Sequence, residues 1–279
     1  MGEWGGTTSL RPSCSPPASI PIMKLRKTLR RAIATACVAS LGHLATPANA
    51  SVVIGGTRVI YGASESEVTL KLSNAGQSPA LVQSWVDAGD VHSAPSTIKV
   101  PFTVTPPIAR IDPSKSQTLR IVYTGEPMPQ DRESVFWLNV LEVPPKPGAA
   151  DADMNRIQLA FRSRIKLFYR PEKLQGSSAD APAQLTWQLT QADGKPAIEV
   201  HNPTPFHVSL TMISVQSGGR SATFDDGGMV GPGETRAFPL KGDVSGAAGA
   251  SVHYTALNDY GGAVSGDTPL RSGTAAPSR

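Results

Sequence analysis

Cysteine is almost missing from this chain, and its two examples, Cys14 and Cys37, both lie in the first 50 residues. The chain beyond residue 50 therefore has no thiol nucleophile, no disulfide and no cysteine-held metal. Past the first 50 residues no run of 18 or more apolar residues exists, which removes a membrane-spanning helix and insertion through one. Chemical signatures are missing too. There is no Gly-x-x-x-x-Gly-Lys loop for nucleotide phosphates, no Gly-x-Ser-x-Gly elbow and no His-Glu-x-x-His helix. The expectation is a protein with no catalytic residues, no cofactor and no metal.

Basic charge is present in excess overall, yet the excess belongs to the N-terminus. Met23 is followed by Lys24, Arg26, Lys27, Arg30 and Arg31, then an apolar stretch at 32–44, then Ala48-Asn49-Ala50. Cationic, apolar and small-x-small segments in that order are a signal peptide at 23–50, with the mature chain starting at Ser51. Residues 1–22 precede it as an upstream extension from a mis-assigned start. Six of the 26 basic and one of the 22 acidic residues fall in 1–50, leaving 20 against 21, a net charge of −1. No nucleic-acid footprint remains, and a soluble periplasmic protein is expected.

The 229 residues after Ala50 suit two domains. Short alternating runs at 52–61, 67–73, 80–87, 118–124, 134–143 and 157–169 read as strands. Turn residues separate them, and helical periodicity is almost absent, the pattern of a β-sandwich. Trp85 is expected in its core. A polar linker at 174–183 divides a first domain, 51–173, from a second, 184–279. There, weaker strand signals recur at 184–190, 197–201, 207–215, 235–240 and 252–257, with a frayed tail from about Ser265.

The segment from Asn155 to Arg170 stands apart. As a single strand it is about twice the typical ~5–6 residues. Alternation places Ile157, Leu159 and Phe161 on one face and Arg162, Arg164 and Lys166 on the other. A strand that long is built to pair with something beyond its own sheet, although its apolar row could also face its own core. Parity alone does not choose among the three cations. His201, His207 and His253 could meet in the second domain to hold copper or zinc, but no matching carboxylate or thiol spacing accompanies them. The competing reading is an exported two-sandwich adhesin or structural module.

Six motifs resemble one known family. They are Thr57-Arg58, TPP at 105–107, MPQDRESVFWLNVLEVPP at 128–145, RIKLFYRP at 164–171, NPTPF at 202–206 and NDYGG at 258–262. In this order and spacing they are similar to the periplasmic pilus chaperones, the PapD-like proteins of the chaperone/usher pathway. The resemblance implies an all-β chain of two immunoglobulin-like sandwiches in a boomerang arrangement. It also implies a partner, a pilus subunit lacking its last strand, and a second partner, an outer-membrane usher. Ile157, Leu159 and Phe161 would be the donated row, and Arg58 with Lys166 would grip the subunit's C-terminal carboxylate. Glu133, Arg170 and Asp259 would form ion pairs between the domains, and Thr105–Pro106 would be cis. The short connection at 144–156 and the missing cysteines suit the branch that serves rod-like pili. The free strand edge leaves room for a homodimer that hides it.

Overall fold

The protein is described by a computed structural model covering residues 51–143, 159–192, 194–244, 246 and 248–270. The expected signal peptide and upstream extension, Ile157 and the connection at 144–156 lie outside the described residues. Among the described residues there is no α-helix, and none long and apolar enough to cross a membrane.

The first domain runs β1 (Val52–Ile54), β2 (Arg58–Gly62), β3 (Val68–Asn74), β4 (Ala80–Asp87), β5 (Phe102–Thr105), β6 (Ile108–Ile111), β7 (Ser116–Tyr123), β8 (Ser134–Val143) and β9 (Phe161–Arg170). Two sheets, ordered β1-β3-β7-β5 and β2-β9-β8-β4-β6, face each other. Alternate residues such as Leu70 and Leu72, Val82 and Val86, Leu119 and Ile121, and Leu138 and Val140 fill the space between them. A ring cluster closes one end: Tyr61, Phe102, Tyr123 and Tyr169 lie with centroids 4.9–6.4 Å apart, within the range of favourable edge and offset packing.

Three expectations change. The single strand expected at 52–61 is two strands, because Gly55-Gly56 breaks it. Gly55 passes so near β3 that a Cβ would sit 3.0 Å from Lys71 O, and it donates its N–H to that oxygen at 2.8 Å. Beyond this break the chain crosses sheets: β1 pairs antiparallel with β3, while β2 pairs parallel with β9. The long strand begins at Phe161 among the described residues, with Leu159 and Ala160 outside the ladder. Trp85 is not a core residue. In β4 the inward positions are Val82, Ser84 and Val86, so Trp85 projects from the opposite face, half-buried under an arginine. Size suggested the core; strand parity overruled it. Strands β5 and β6 escaped notice because they flank the prolines of 105–107, where the Thr105–Pro106 bond is cis.

A short 3-10 turn at Ala181–Gln184 leads into the second domain. It comprises β10 (Thr186–Ala192), β11 (Lys195–His201), β12 (Val208–Ser217), β13 (Arg220–Phe224), β14 (Gly228–Val230), β15 (Thr235–Pro239), β16 (Lys241–Gly242), β17 (Ser251–Leu257) and β18 (Ala263–Pro269). One sheet is β10-β11-β15; the other is β16-β13-β12-β17-β18 with β14 also on β12. The tail expected to fray from Ser265 is instead an ordered edge strand through Pro269, and Leu270 beyond it is buried. Its small residues misled: a Cβ at Gly266 would come within 2.3 Å of the Tyr254 hydroxyl, so the strand fits because it lacks side-chain bulk there. Each domain ties a loop to one buried asparagine. Asn74 Nδ2 donates to Ser78 O and Ile111 O at 2.8 and 2.9 Å, and Asn202 Nδ2 donates to Phe206 O and Val230 O at 2.7 and 3.1 Å. The second of these loops is the one that meets the first domain.

Candidate functional site

Strand β9 changes character at its midpoint. On one side it pairs with β8 from Glu142↔Phe161 to Ser134↔Tyr169. On the other side β2 covers only Lys166 to Arg170, beginning with the pair Arg58↔Lys166. Residues 161–165 thus present an unpaired backbone edge that ends where Arg58 and Lys166 stand together. The odd-numbered side chains follow the same division. Leu167 and Tyr169 are in the core and Ile165 is packed partly against it, whereas Phe161 is 48% and Leu159 61% exposed. The apolar row continues past the end of the core that should receive it.

The even-numbered cations differ from one another in what holds them. Arg162 Nε donates to Asn139 Oδ1 at 2.8 Å and Nη1 to Val91 O at 2.6 Å, with the guanidinium 4.9 Å above the Trp85 ring. Arg164 Nη2 donates to Asp87 Oδ1 at 2.6 Å and stacks 4.9 Å over Trp137. Asp87 is buried and also lies 3.5 Å from Arg162. Burial alone would push its carboxyl up, but hydrogen bonds from Asn139, the Gly89 N–H and Arg164 hold it below the usual carboxylate range. Two of the three cations are therefore committed within the domain.

Among the described residues, Lys166 meets no carboxylate. Its Nζ donates to Ser209 Oγ of the second domain at 2.9 Å and lies 5.8 Å from the Trp137 ring. Removal of water lowers its pKa to about 8, with the charges of Arg58 and Arg236 adding to the effect. Arg58 Nη1 donates to Leu257 O of the second domain at 3.2 Å, while its Nε is buried with no hydrogen-bond partner among the described residues. Burial also lowers the Arg58 pKa, against the favourable charges of Asp259 and Glu133. Two neighbouring, partly dried cations with unused donors make a site that favours an anion, above all a carboxylate that can accept from both.

An ion-pair network fixes the two domains beside this site. Arg170 Nε donates to Glu133 Oε1 at 2.9 Å, and its Nη1 and Nη2 take both oxygens of Asp259 at 2.7 and 2.9 Å. Ser178 Oγ donates to Asp259 as well, and the Arg170 bonds together with this hydroxyl keep its carboxyl below its ordinary pKa. The buried Glu133 accepts His207 N–H at 2.9 Å, lies 2.9 Å from His207 Nδ1, and its own N–H donates to Pro205 O. The sequence-derived residues Arg58, Lys166, Glu133, Arg170 and Asp259 thus meet at one junction, Leu159 and Phe161 lie along the edge leading to it, and Ile157 lies outside the described residues. The three second-domain histidines have separate partners: His207 has Glu133, His201 has Thr235 and His253 has Asp267. Sequence inspection missed Asp87, Asn139, Trp137 and Ser209. Only the alternation of β4 and β8, which turns Asp87, Asn139 and Trp137 to the outer face with Trp85, offered a sign of the first three.

Two sandwiches joined through buried ion pairs, with an incomplete strand edge running into a cationic junction, define a binding protein for extended polypeptide. Comparison with known proteins gives the family. Residues 51–175 match the pili and flagellar-assembly chaperone PapD N-terminal domain, and residues 180–268 match the pili assembly chaperone PapD C-terminal domain. The chain is 46% identical over 223 residues to the probable fimbrial chaperone YadV of Escherichia coli, covering 79% of this chain and 90% of that protein. It is 46% identical over 237 residues to the chaperone protein FimB/FhaD of Bordetella pertussis, covering 84% and 93%. The crystal structure of YadV superposes with a TM-score of 0.67 at 41% identity, covering 79% of this chain and all of that one. The solved complex of Salmonella enterica SafA pilin with the SafB chaperone gives 0.66 at 31% identity, covering 81% and 99%. The chain belongs to the PapD-like pilus-assembly chaperone family, and chaperoning of fimbrial assembly is its function.

Proposed function

We propose that the protein binds a pilus subunit lacking its last strand by lending β9 as that strand, and anchors the subunit's C-terminal carboxylate at Arg58 and Lys166. The observation that carries this is the open edge of residues 161–165, which stops at the Arg58↔Lys166 pair. A bound strand whose C-terminus meets Lys166 runs parallel to β9, in line with β2. Phe161, five residues back, then sits ~17 Å from the anchor. Ile157, Leu159 and Phe161 insert into the subunit's groove. The partner type is supported by the SafB relative, which is solved with a pilin.

Magnitudes explain why both parts are required. Three apolar side chains contribute roughly 5–9 kcal/mol at ~1.5–3 each, and association costs ~4–15 kcal/mol. Losing one partner of a desolvated ion contact removes a further ~2–5 kcal/mol. The anchor also sets the register, since a slip of one residue turns the whole apolar row away. Arg170, bridging Glu133 and Asp259, holds the second domain's Ser209 and Leu257 against Lys166 and Arg58 and so keeps the two cations aimed.

The same reading makes the protein a periplasmic, non-enzymatic chaperone that works without ATP and hands its subunit to an outer-membrane usher. Exposed Leu81, Ile108 and Val143 on the outer face of the β9 sheet offer apolar surface for that second partner. Release is driven by exchange of the lent strand for the next subunit's better-fitting one. In the free protein the open edge pairs with a second copy, and the pilus served is of the rod type. The test is co-purification with a strand-deficient subunit from the periplasm. Lys166→Ala is expected to fold normally and recover no subunit; an unchanged complex yield overturns the anchor.

A further inference from the structure

The first residue of the expected mature chain is held more firmly than a chain end requires. Ser51 O accepts the Ala75 N–H at 2.7 Å, and Ser51 packs where a Cβ on Gly76 would lie 2.5 Å from its own. Its Oγ donates to Glu142 Oε1, and the Val52 N–H donates to Glu142 Oε2 at 3.1 Å. Glu142 is half-buried near the end of β8, directly opposite Phe161 in the ladder. Since β1 and β8 belong to different sheets, this carboxylate ties the sandwich together at the end where its own core gives out, immediately behind the exposed Phe161.

Among the described residues, Glu142 is paired with no lysine, arginine or histidine. It holds a negative charge against two neutral donors. Covalent geometry keeps the Ser51 nitrogen within ~3.6 Å of Val52 N, and so within a few ångströms of the carboxylate. While a leader is attached, that nitrogen is a neutral amide. Hydrolysis of the Ala50–Ser51 bond by water leaves a carboxylate on Ala50 and an amine on Ser51, charged below ~pH 8.

We propose that Glu142 is the docking group for the α-ammonium created when the leader is removed, so that processing adds an ion pair that fastens β1 across the sandwich end behind Phe161. This rests on the reading that the signal peptide ends at Ala50. It gives the newly exported chain a completed donor-strand platform only once it is free of its leader. The sign with pH comes from the amine: the added fastening is present below its pKa and is lost as pH rises through it.

The experiment compares hydrogen exchange in residues 51–55 of the full mature protein with a free Ser51 amine and with the same amine acetylated, each with Glu142 and with Glu142→Gln. Acetylation is expected to speed exchange by about two- to fivefold at pH 6.5, the range of a partly exposed ion pair, and to have no effect in Glu142→Gln. Equal exchange of free and acetylated chains overturns the ion pair, as does an acetylation effect that persists in Glu142→Gln. The N-terminal mass of the exported protein is measured alongside. Ser51 is expected; another start overturns the leader reading and the proposal with it, whereas a Ser51 start without an acetylation effect overturns the ion pair alone.

Discussion

The two halves of β9 share one strand, one parity and nearly the same apolar content, yet they have opposite fates. From Lys166 to Tyr169 the strand has a neighbour on each side and sends Leu167 and Tyr169 into the core. From Phe161 to Ile165 it has a neighbour on one side only, and Phe161 projects past the core. The cations repeat the contrast. Arg162 and Arg164 are paired with Asp87 and stacked on tryptophan faces, although Arg164 Nε, like Arg58 Nε, is buried without a hydrogen-bond partner among the described residues; Lys166 and Arg58 meet only a hydroxyl and a backbone carbonyl there, with no carboxylate in salt-bridge range. The difference shows what the fold leaves incomplete, an edge, an apolar row and two cations at the junction of β9 with β2, and these are the features on which the proposed binding rests.

Substitutions on either side of the midpoint should separate stability from binding. The largest effect belongs to the buried half: Leu167→Ala, at a fully buried site, is expected to lower stability by ~2–5 kcal/mol with a clear drop in Tm by calorimetry. At the junction, Arg58→Ala should leave Tm nearly unchanged and weaken subunit capture by ~30-fold or more, as read by titration with a purified subunit. In the open half, Phe161→Ser should fold normally and weaken capture by about 10- to 150-fold, the equivalent of ~1.5–3 kcal/mol of lost burial.

The pH dependence sharpens the comparison at Lys166. Only the ammonium form grips a carboxylate, and its pKa stands at about 8. Capture should therefore weaken by about tenfold between pH 7 and pH 9, and Lys166→Arg should flatten that dependence because guanidinium stays charged. The free protein behaves oppositely. Burial lowers the lysine below its unfolded value of 10.5, so its charge disfavours the fold below about 8 and stability rises with pH from about 8 to 10.5. The smallest effect on capture is expected at Arg162→Gln, which loses the donor to the buried Asn139 and the contact with Trp85: about 1–3 kcal/mol of stability but capture within twofold of the parent.

Much of this arrangement was legible in the residues. Alternation located β4 and β8 to the residue, and the motif set pointed to Arg58, Lys166, Glu133, Arg170 and Asp259, which the fold gathers at one junction. The boundary between the two halves of β9 was not legible, since it is set by where a distant strand, β2, begins to pair. Nor was the break at Gly55-Gly56, because an alternating run reads as one strand whichever sheets its ends join. Trp85 shows the limit of arguing from residue type: a large aromatic suits a core, but its position between Ser84 and Val86 in β4 sends it outward. The reason Lys166 differs from Arg162 and Arg164 lay in Asp87 and Ser209, one nearly 80 residues upstream and the other in another domain.

The start of β2 at Arg58 has one more consequence. An edge open along its whole length would accept the middle of almost any extended chain and could stack copies without limit. Here a strand arriving along residues 161–165 meets a backbone already in place and two cations with donors to spare. A segment that continues as polypeptide collides there and leaves those charges unanswered; a segment that stops there supplies the charge they lack. Under the proposed anchoring, the junction tells a chain's end from its middle, which turns a sticky edge into a receptor for finished termini.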